Sequence, residues 1–582
     1  MSLEPDTSLQ PEYQPRFTPE TLSATYYRDN FLGLLSSVAS RYSAILTPEE
    51  SSFVASFQGC SLGAQCLLVR LVSRKGPLFR TDKLRYPEIS QLTDALRELA
   101  DVGLVEIAPL STLRETLDLM TVAELQSHFQ VPKGLRKSEL LEWLTANVGG
   151  DDDMPRVWPQ VLELPFQLVR PGYETALARL RLMFFGNLNQ DLSEFVLADL
   201  GVFRYEPYEL DGNAAAFTAR EQVDQLFAAI QWRQAGYQAL DEAAPDAIAA
   251  LANAPVEFGF PPARRVVSKG LNQLGRYYER LGIADTALSL YRRSGIAPAR
   301  ERVARILYGQ DDWQGALRQC QEIQAEPWDE QEGLAAQRIQ DRCLRQLKLP
   351  RPAKTSRNYP VETFILDPAS RQESSVERQV LAHLLQEEGG EGYYVENWLL
   401  NALFGLLFWE VVFAPVPDAF YHPFQRGPVD LYRPEFRQKR RGMIADRLAR
   451  LTDMAWCRMQ VEKIWHDRFG TLNPFVSWTT LDEPRLSLAL DRIPVADLQR
   501  VFSRMLLDLR NHCSGFPDLI HFRADRSYEL IEVKGPGDRV QDHQARWLEF
   551  FVQEGIAARV VHVVYATAYT DGPAGHTGST TL

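Results

Sequence analysis

Between Thr21 and about Val148, apolar residues recur every three or four positions and are interrupted by short turns such as Lys75-Gly76-Pro77, the spacing of amphipathic helices. An acidic break, Gly149-Gly150-Asp151-Asp152-Asp153, leads into a second stretch of helical spacing that runs to about Leu349 and is rich in alanine, leucine and arginine. A polar, proline-bearing linker follows, and beyond it the composition changes, with eight of the nine histidines at or after His383. The pattern predicts a flexible tail over 1–20, a helical domain over 21–150, a second helical domain over 151–350, a linker over 351–375, a mixed α/β domain over 376–575 and a short tail over 576–582. The longest apolar run, Trp398 to Phe413, has 16 residues and includes Asn401 and Glu410. A bilayer span needs about 20, so the run reads as a buried helix.

Within the first helical domain, Arg70, Arg74, Lys75, Arg80, Lys83 and Arg85 fall inside sixteen residues and are followed by Tyr86. Cations beside one stacking ring suit a nucleic-acid backbone, and a solvated helix face is the ordinary alternative. Leu119 to Leu125 and Gly134 to Leu141 read as two short amphipathic helices joined by a basic turn, with Lys133, Arg136 and Lys137 at the second helix start. This arrangement, over about 117–147, resembles a SAP-type module, whose helix N-termini and basic turn suit phosphate contacts. In the second domain, Leu271, Leu274, Gly275, Tyr278, Ala287 and Tyr291 fit the spacing of a tetratricopeptide unit, with a weaker copy on Val303, Ala304, Leu307, Ala316 and Cys320. The turn between the copies carries Arg292, Arg293, Arg300, Arg302 and Arg305, a candidate pocket for a terminal phosphate.

The net charge of -13 excludes a protein that coats nucleic acid indiscriminately, so any such contact must come from local patches. Only ten of the 63 basic residues are lysines, a bias that a GC-rich genome explains as well as phosphate binding does. The six cysteines are scattered, with neither zinc-ribbon nor disulfide spacing, and the first thirty residues lack the profile of a signal peptide. An intracellular setting, cytoplasm or nucleoid in a bacterium, is expected.

The chemistry concentrates near the C-terminus. Gly515-Phe516-Pro517-Asp518-Leu519-Ile520-His521-Phe522 turns through Arg523 to Ser527 and returns as Tyr528 to Gly535, two apolar strands around a polar turn. A hairpin centred on Asp525 pairs positions whose numbers sum to 1050, which sets Asp518 opposite Glu532 with Cβ atoms ~5 Å apart. Alternation along the strand puts Glu532 and Lys534 on one face and leaves the Val533 carbonyl near the carboxylates. Like charges this close call for a cation, and a dense set of hard oxygen ligands suits Mg²⁺ or Mn²⁺, as one or two ions. Such an ion lowers the pKa of a bound water and neutralises charge on a phosphodiester under attack. Lys534 is the one lysine of ten with an acidic residue two positions before it. After a glycine turn, a helix carrying Arg546, Trp547 and Phe550 and a strand from Arg559 to Tyr565 complete an αβββαβ-like core.

Gly515-x-Pro517-Asp518-Leu519, Glu532-Val533-Lys534-Gly535-Pro536-x-Asp538-Arg539 and Gln544 together resemble the VRR-NUC domain of the PD-(D/E)xK nuclease superfamily. The order of SAP-like module, helical repeats and C-terminal nuclease further resembles the Fanconi-anaemia-associated nuclease family over nearly the whole chain. The resemblance implies a metal-dependent, structure-selective nuclease that cuts 5′-flap DNA, degrades double-stranded ends 5′ to 3′ and acts in interstrand crosslink repair. It implies catalytic roles for Glu396, Asp518, Glu532 and Lys534, with Glu396, Asp518, Glu532 and the Val533 carbonyl as metal ligands and Gln544 as a supporting contact. A lone glutamate near a helix start is otherwise a dipole feature. His422, His512 and His543 lie near these motifs in sequence, where a core or surface role is the simpler reading. A monomer is expected. The alternatives are a Holliday-junction resolvase, which would act as a symmetric dimer, and a non-enzymatic helical scaffold.

Overall fold

The computed structural model describes residues 23–566 except 75, 133, 149–153, 191–194, 196–202, 353–357 and 368–373. The two predicted tails, the acidic break, Lys75 and Lys133 lie outside the described residues. Helices dominate the first two thirds of the chain and a five-stranded mixed sheet forms the C-terminal domain.

Three helices open the fold, α1 (Tyr26–Tyr42), α2 (Pro48–Gly59) and α3 (Leu62–Val72), packed around Phe31, Leu34, Phe57 and Leu67. Their start points are written locally. Thr47 and Glu50 cap α2 reciprocally with Pro48 in the first turn, and the Ser61 hydroxyl accepts the Ala64 N–H at the head of α3. Next, α4 (Val122–His128) and α5 (Lys137–Val148) bury Leu125, Leu140, Leu141 and Leu144 in a core of their own.

The predicted boundary at residue 150 does not hold. Strand β3 (Leu168–Pro171) pairs antiparallel with both β1 (Phe79–Arg80) and β2 (Val105–Ile107), and helix α6 (Glu174–Phe185) packs on α1 and α2. Chain beyond the acidic break therefore returns to complete the first domain.

Helices α7 (Pro261–Arg280), α8 (Ala284–Arg293), α9 (Ala299–Gly309), α10 (Trp313–Ala325) and α11 (Glu330–Gln346) follow as successive packed neighbours. Gly275 is required here, because a Cβ would stand 2.9 Å from the Tyr291 ring.

The C-terminal sheet has the order β4-β8-β7-β6-β5. Strand β4 (Val361–Leu366) falls in the predicted linker and runs parallel to β8 (Ala558–Tyr565) as an edge strand. The remainder follows the expected αβββαβ order: α12 (Val376–Glu387), β5 (Glu391–Tyr394), β6 (Leu519–Phe522), β7 (Tyr528–Lys534), a second helix over Asp542–Gln553, then β8. Between β5 and β6 a long helical insertion begins with α13 (Leu399–Leu407), and the helix Asp542–Gln553 is α14. The apolar run from Trp398 is buried as expected, but it breaks at Phe408 into α13 and a short helix Trp409–Val412. Among the described residues no helix is long and apolar enough to cross a membrane.

Candidate active site

The register predicted from the sequence is the register observed. Phe522 faces Tyr528 and Leu519 faces Ile531, so Asp518, one residue before β6, lies opposite Glu532. On the other side of β6, Tyr394 faces Leu519, and the Val395 N–H donates to the Asp518 carbonyl at 2.7 Å. Glu396 therefore leaves β5 beside Asp518. The two loops are stitched further: the Phe516 N–H donates to Asn397 Oδ1 at 3.2 Å, and Asn401 Nδ2 donates to the Cys513 carbonyl at 2.8 Å. Gly515 has φ +87° and would drive a Cβ to 2.6 Å from the His543 ring, so only glycine lets the Pro517-Asp518 segment pass under the start of α14.

Glu532 is 0% exposed, and Lys534 Nζ stands 2.6 Å from its Oε1. Neither carboxylate oxygen takes an aligned hydrogen bond from the described residues. Burial, followed by the charge of Asp518, pushes the Glu532 carboxyl up to about 8 despite Lys534. Asp518 accepts the Val533 N–H on Oδ2 at 2.8 Å, and burial raises its carboxyl to about 6, with Glu396 and Glu377 adding to the rise. The Glu396 carboxylate is exposed and is held by the Tyr394 hydroxyl and by Asn397 Nδ2 at 3.3 Å.

Among the described residues no three carboxylates, thiolates or imidazoles converge at coordinating distance. The donor set still fits a hard divalent cation. A fully buried carboxylate whose close partner is Lys534 faces a second one across the strand pair, and a third lies on a surface side chain one loop away.

Gln544 has a local duty. Its side-chain oxygen accepts the Gln541 N–H in a reciprocal cap on α14. His422 is a core residue, stacked on Phe184 and driven down to about 3 by burial. His512 is buried against Glu330 of α11, and His543 packs on Gly515. A groove of about 480 Å³ opens beside Lys534, lined by Gly537, Asp538, Arg539, Val540 and Gln541.

Most cations proposed from sequence as phosphate contacts are engaged within the protein. Arg80 is buried and bound to Asp82 and Glu124, Lys83 joins Glu124, Arg70 is bound by Glu88 and lies over Tyr27, and Arg74 donates to the Tyr86 hydroxyl. Lys137 is held by Asp118, whereas Arg85 and Arg136 are exposed. The five-arginine pocket is not open either. Arg293 donates to the Ala252 and Ala254 carbonyls, and Arg300, Arg302 and Arg305 pair with Glu332, Glu279 and Glu301, leaving Arg292 exposed.

A cation cluster that no local sequence signal marks forms elsewhere. Lys269 of α7 is drawn down by partial burial and by the charges of Arg433, Arg233, Arg265 and Arg510. Of these, Arg265 is paired with Glu435.

The VRR-NUC domain profile matches residues 454–565, and the FAN1 HTH domain profile matches residues 25–106. A Fanconi-associated nuclease 1 homolog of Pseudomonas aeruginosa is 37% identical, with 95% of this chain and 99% of that protein covered. The Fanconi-associated nuclease 1 of Homo sapiens is 24% identical over 94% of this chain and 63% of its own length. A crystal structure of paFAN1 bound to 5′-flap DNA with a gap superposes with a TM-score of 0.80 at 36% identity, covering 94% of this chain and all of that one.

Proposed function

Because the chain belongs to the Fanconi-associated nuclease family, and is thus a structure-selective DNA nuclease of divalent-metal chemistry, we propose that it cuts 5′-flap DNA and degrades double-stranded ends 5′ to 3′. The cellular task we assign is repair of interstrand crosslinks, inside the cell, with Mg²⁺ or Mn²⁺ as the ion. The observation that carries this reading is the buried Glu532 set across the hairpin from Asp518 with Lys534 at 2.6 Å, on a scaffold whose relative was crystallised on a 5′ flap.

In this reading Asp518, Glu532, Glu396 and the Val533 carbonyl hold the cation. When bound, that cation would supply charge neutralisation at the phosphodiester and a more acidic water. Lys534 is held by Glu532 where it orients that water and donates to a phosphate oxygen. Burial of Glu532, Asp518 and Lys534 excludes bulk solvent and so strengthens their interactions. Tyr394 and Asn397 hold Glu396 near Asp518. The groove at Lys534 to Gln541 and the cluster of Lys269, Arg233, Arg433 and Arg510 offer cations to the DNA backbone.

End-labelled 5′-flap, 3′-flap, splayed-arm and four-way-junction DNA, incubated with Mg²⁺ or Mn²⁺, test the reading. Wild type should cut the 5′ flap preferentially, and Asp518→Ala and Lys534→Ala should still bind the DNA but lose cleavage by 10²-fold or more, the order expected for loss of a charge-stabilising group. Symmetric cutting of the junction would instead mark a resolvase, and absence of metal-dependent cutting by wild type would leave a scaffold.

A further inference from the structure

Alternation along β7 and β8 sorts their side chains onto two faces of the sheet. Val533, Val561 and Val563 pack toward α12, whereas Leu530 and Val560 lie under α14. Glu532 and Lys534 project on the α14 side, and so do His562 and Val564. The parallel register sets His562 beside Lys534, and Thr363 of β4 beside His562. Neighbouring strands stand about 5 Å apart, so the three form a row that runs about 10 Å from Lys534 to the free edge of the sheet. Two residues further along the strands, Val564 pairs with Ile365, and these aliphatic side chains are 49% and 70% exposed.

Beyond the cover of α14 this face is open. His562 is half-buried and Thr363 exposed, and neither side chain takes a hydrogen bond or ion pair among the described residues. Within β8 and β4 the face carries no carboxylate: Glu362, the one acidic residue of the two strands, alternates to the other side and is bound by Arg559. On the opposite flank of Lys534, by contrast, stand Asp518 and the exposed Glu396. A phosphodiester held at Lys534 continues as a strand of further phosphates, which the carboxylate flank repels and the neutral row admits. An imidazole N–H and a threonine hydroxyl both donate to phosphate oxygens, and the exposed aliphatic pair suits the apolar face of a deoxyribose.

We propose that His562 and Thr363 hold the phosphate next to the scissile one, so that the strand being cut leaves the site across β8 and β4 with its sugar on Val564 and Ile365. This deepens the nuclease reading given above and rests on it. The cut strand is the occupant because the row is continuous with Lys534. A free β4 edge also offers backbone groups to a second copy of the chain, which the test separates.

The test is steady-state cleavage of end-labelled 5′-flap DNA with Mn²⁺, once the cut position has been mapped. Unmodified DNA is compared with DNA in which a single phosphate beside the cut is replaced by a neutral methylphosphonate. His562→Ala should raise KM at least about tenfold on unmodified DNA with kcat near wild type, as loss of a hydrogen bond to a charged group made equally before and during reaction. His562→Gln, which keeps a donor, should recover part of the loss, and Thr363→Ala should act in the same direction. On the methylphosphonate that neutralises the contacted phosphate, wild type should weaken and His562→Ala should cost nothing more. Equal losses by His562→Ala on every DNA mark a structural role and overturn the contact, and an unchanged KM on unmodified DNA overturns it outright. A concentration-dependent dimer in sedimentation, broken by Ile365→Asp with cleavage unchanged, assigns the edge to a second copy and overturns it as well. If wild type cuts no flap with Mn²⁺, the nuclease reading fails first and the contact falls with it.

Discussion

Replacing Glu532 by glutamine isolates what the site costs the fold. In the unfolded chain this carboxyl ionises near its ordinary 4.5, whereas in the folded chain burial and Asp518 hold it up to about 8. Each pH unit between those values costs the folded state about 1.4 kcal/mol. At pH 7 the wild-type side chain therefore costs about 3 kcal/mol relative to an isostere with no proton to lose. Glutamine keeps the shape and leaves Lys534 an oxygen to donate to. Because the folded value is raised, the penalty is absent below about pH 4.5, grows as the pH climbs, and levels off above about 8.

Thermal unfolding in EDTA reads this directly. For a domain of about 200 residues, 1 kcal/mol corresponds to roughly 2–4 °C, so the nuclease-domain transition of Glu532→Gln should lie roughly 6–12 °C above wild type at pH 7 and coincide with it near pH 4.5. Mn²⁺ at a thousand times its dissociation constant should reverse the order, since it stabilises the binding-competent chain by about 4.1 kcal/mol and leaves the variant unaided. A variant no more stable than wild type in EDTA at pH 7, or a gap that does not change between pH 5 and 8, would refute the burial argument.

Two further outcomes are expected. Lys269→Ala should weaken DNA binding at all sequences and reduce the slope of log affinity against log salt by about 0.9, one phosphate's worth, whereas Arg305→Ala, whose guanidinium is paired with Glu301, should leave the slope unchanged; salt-dependent fluorescence anisotropy decides between equal and unequal slopes. Glu330→Ala removes the carboxylate that meets His512, Arg504 and Arg546, and should lower the nuclease-domain transition by more than the ~1 kcal/mol typical of an exposed ion pair, with cleavage falling alongside it; an unchanged transition would show the cluster to be dispensable.

The hairpin was legible because its information is local. Period-two alternation around a polar turn fixes the register, and a slip of one residue would turn Glu532 into the opposite face. Gly515 reads as a turn signal, and the structure adds the reason, contact with His543. What escaped the sequence is non-local. β4 is parallel to β8, almost two hundred residues away, and a parallel strand carries no adjacent turn to announce it. β3 likewise finds its partners across the acidic break. The arginine-rich runs misled for a complementary reason: spacing counts charges and omits their carboxylate partners, so Arg80 and Arg300 looked available while Glu124 and Glu332 held them. The cluster around Lys269 gathers residues from Arg233 to Arg510, and only folding places them together.

The same non-local logic explains why the nuclease core is joined to a long helical region. At the start of α11, the Glu330 N–H donates to Asp508, and the Glu330 carboxylate meets Arg504, His512 and Arg546. Arg338 of the same helix pairs with Asp542, the first residue of α14. These contacts grip both flanks of the hairpin that sets Asp518 opposite Glu532, the segment entering Pro517-Asp518 and the helix that Gly515 passes beneath. A second set joins the long insertion after α13 to earlier chain: Arg41 of α1 donates to the Tyr421 carbonyl, and the Tyr208 hydroxyl donates to that of His422. The carboxylates therefore sit on a sheet whose loops are located by helices on either side. A nuclease that selects a branch rather than a sequence needs such an arrangement, because its specificity comes from where the backbone is held relative to the cut.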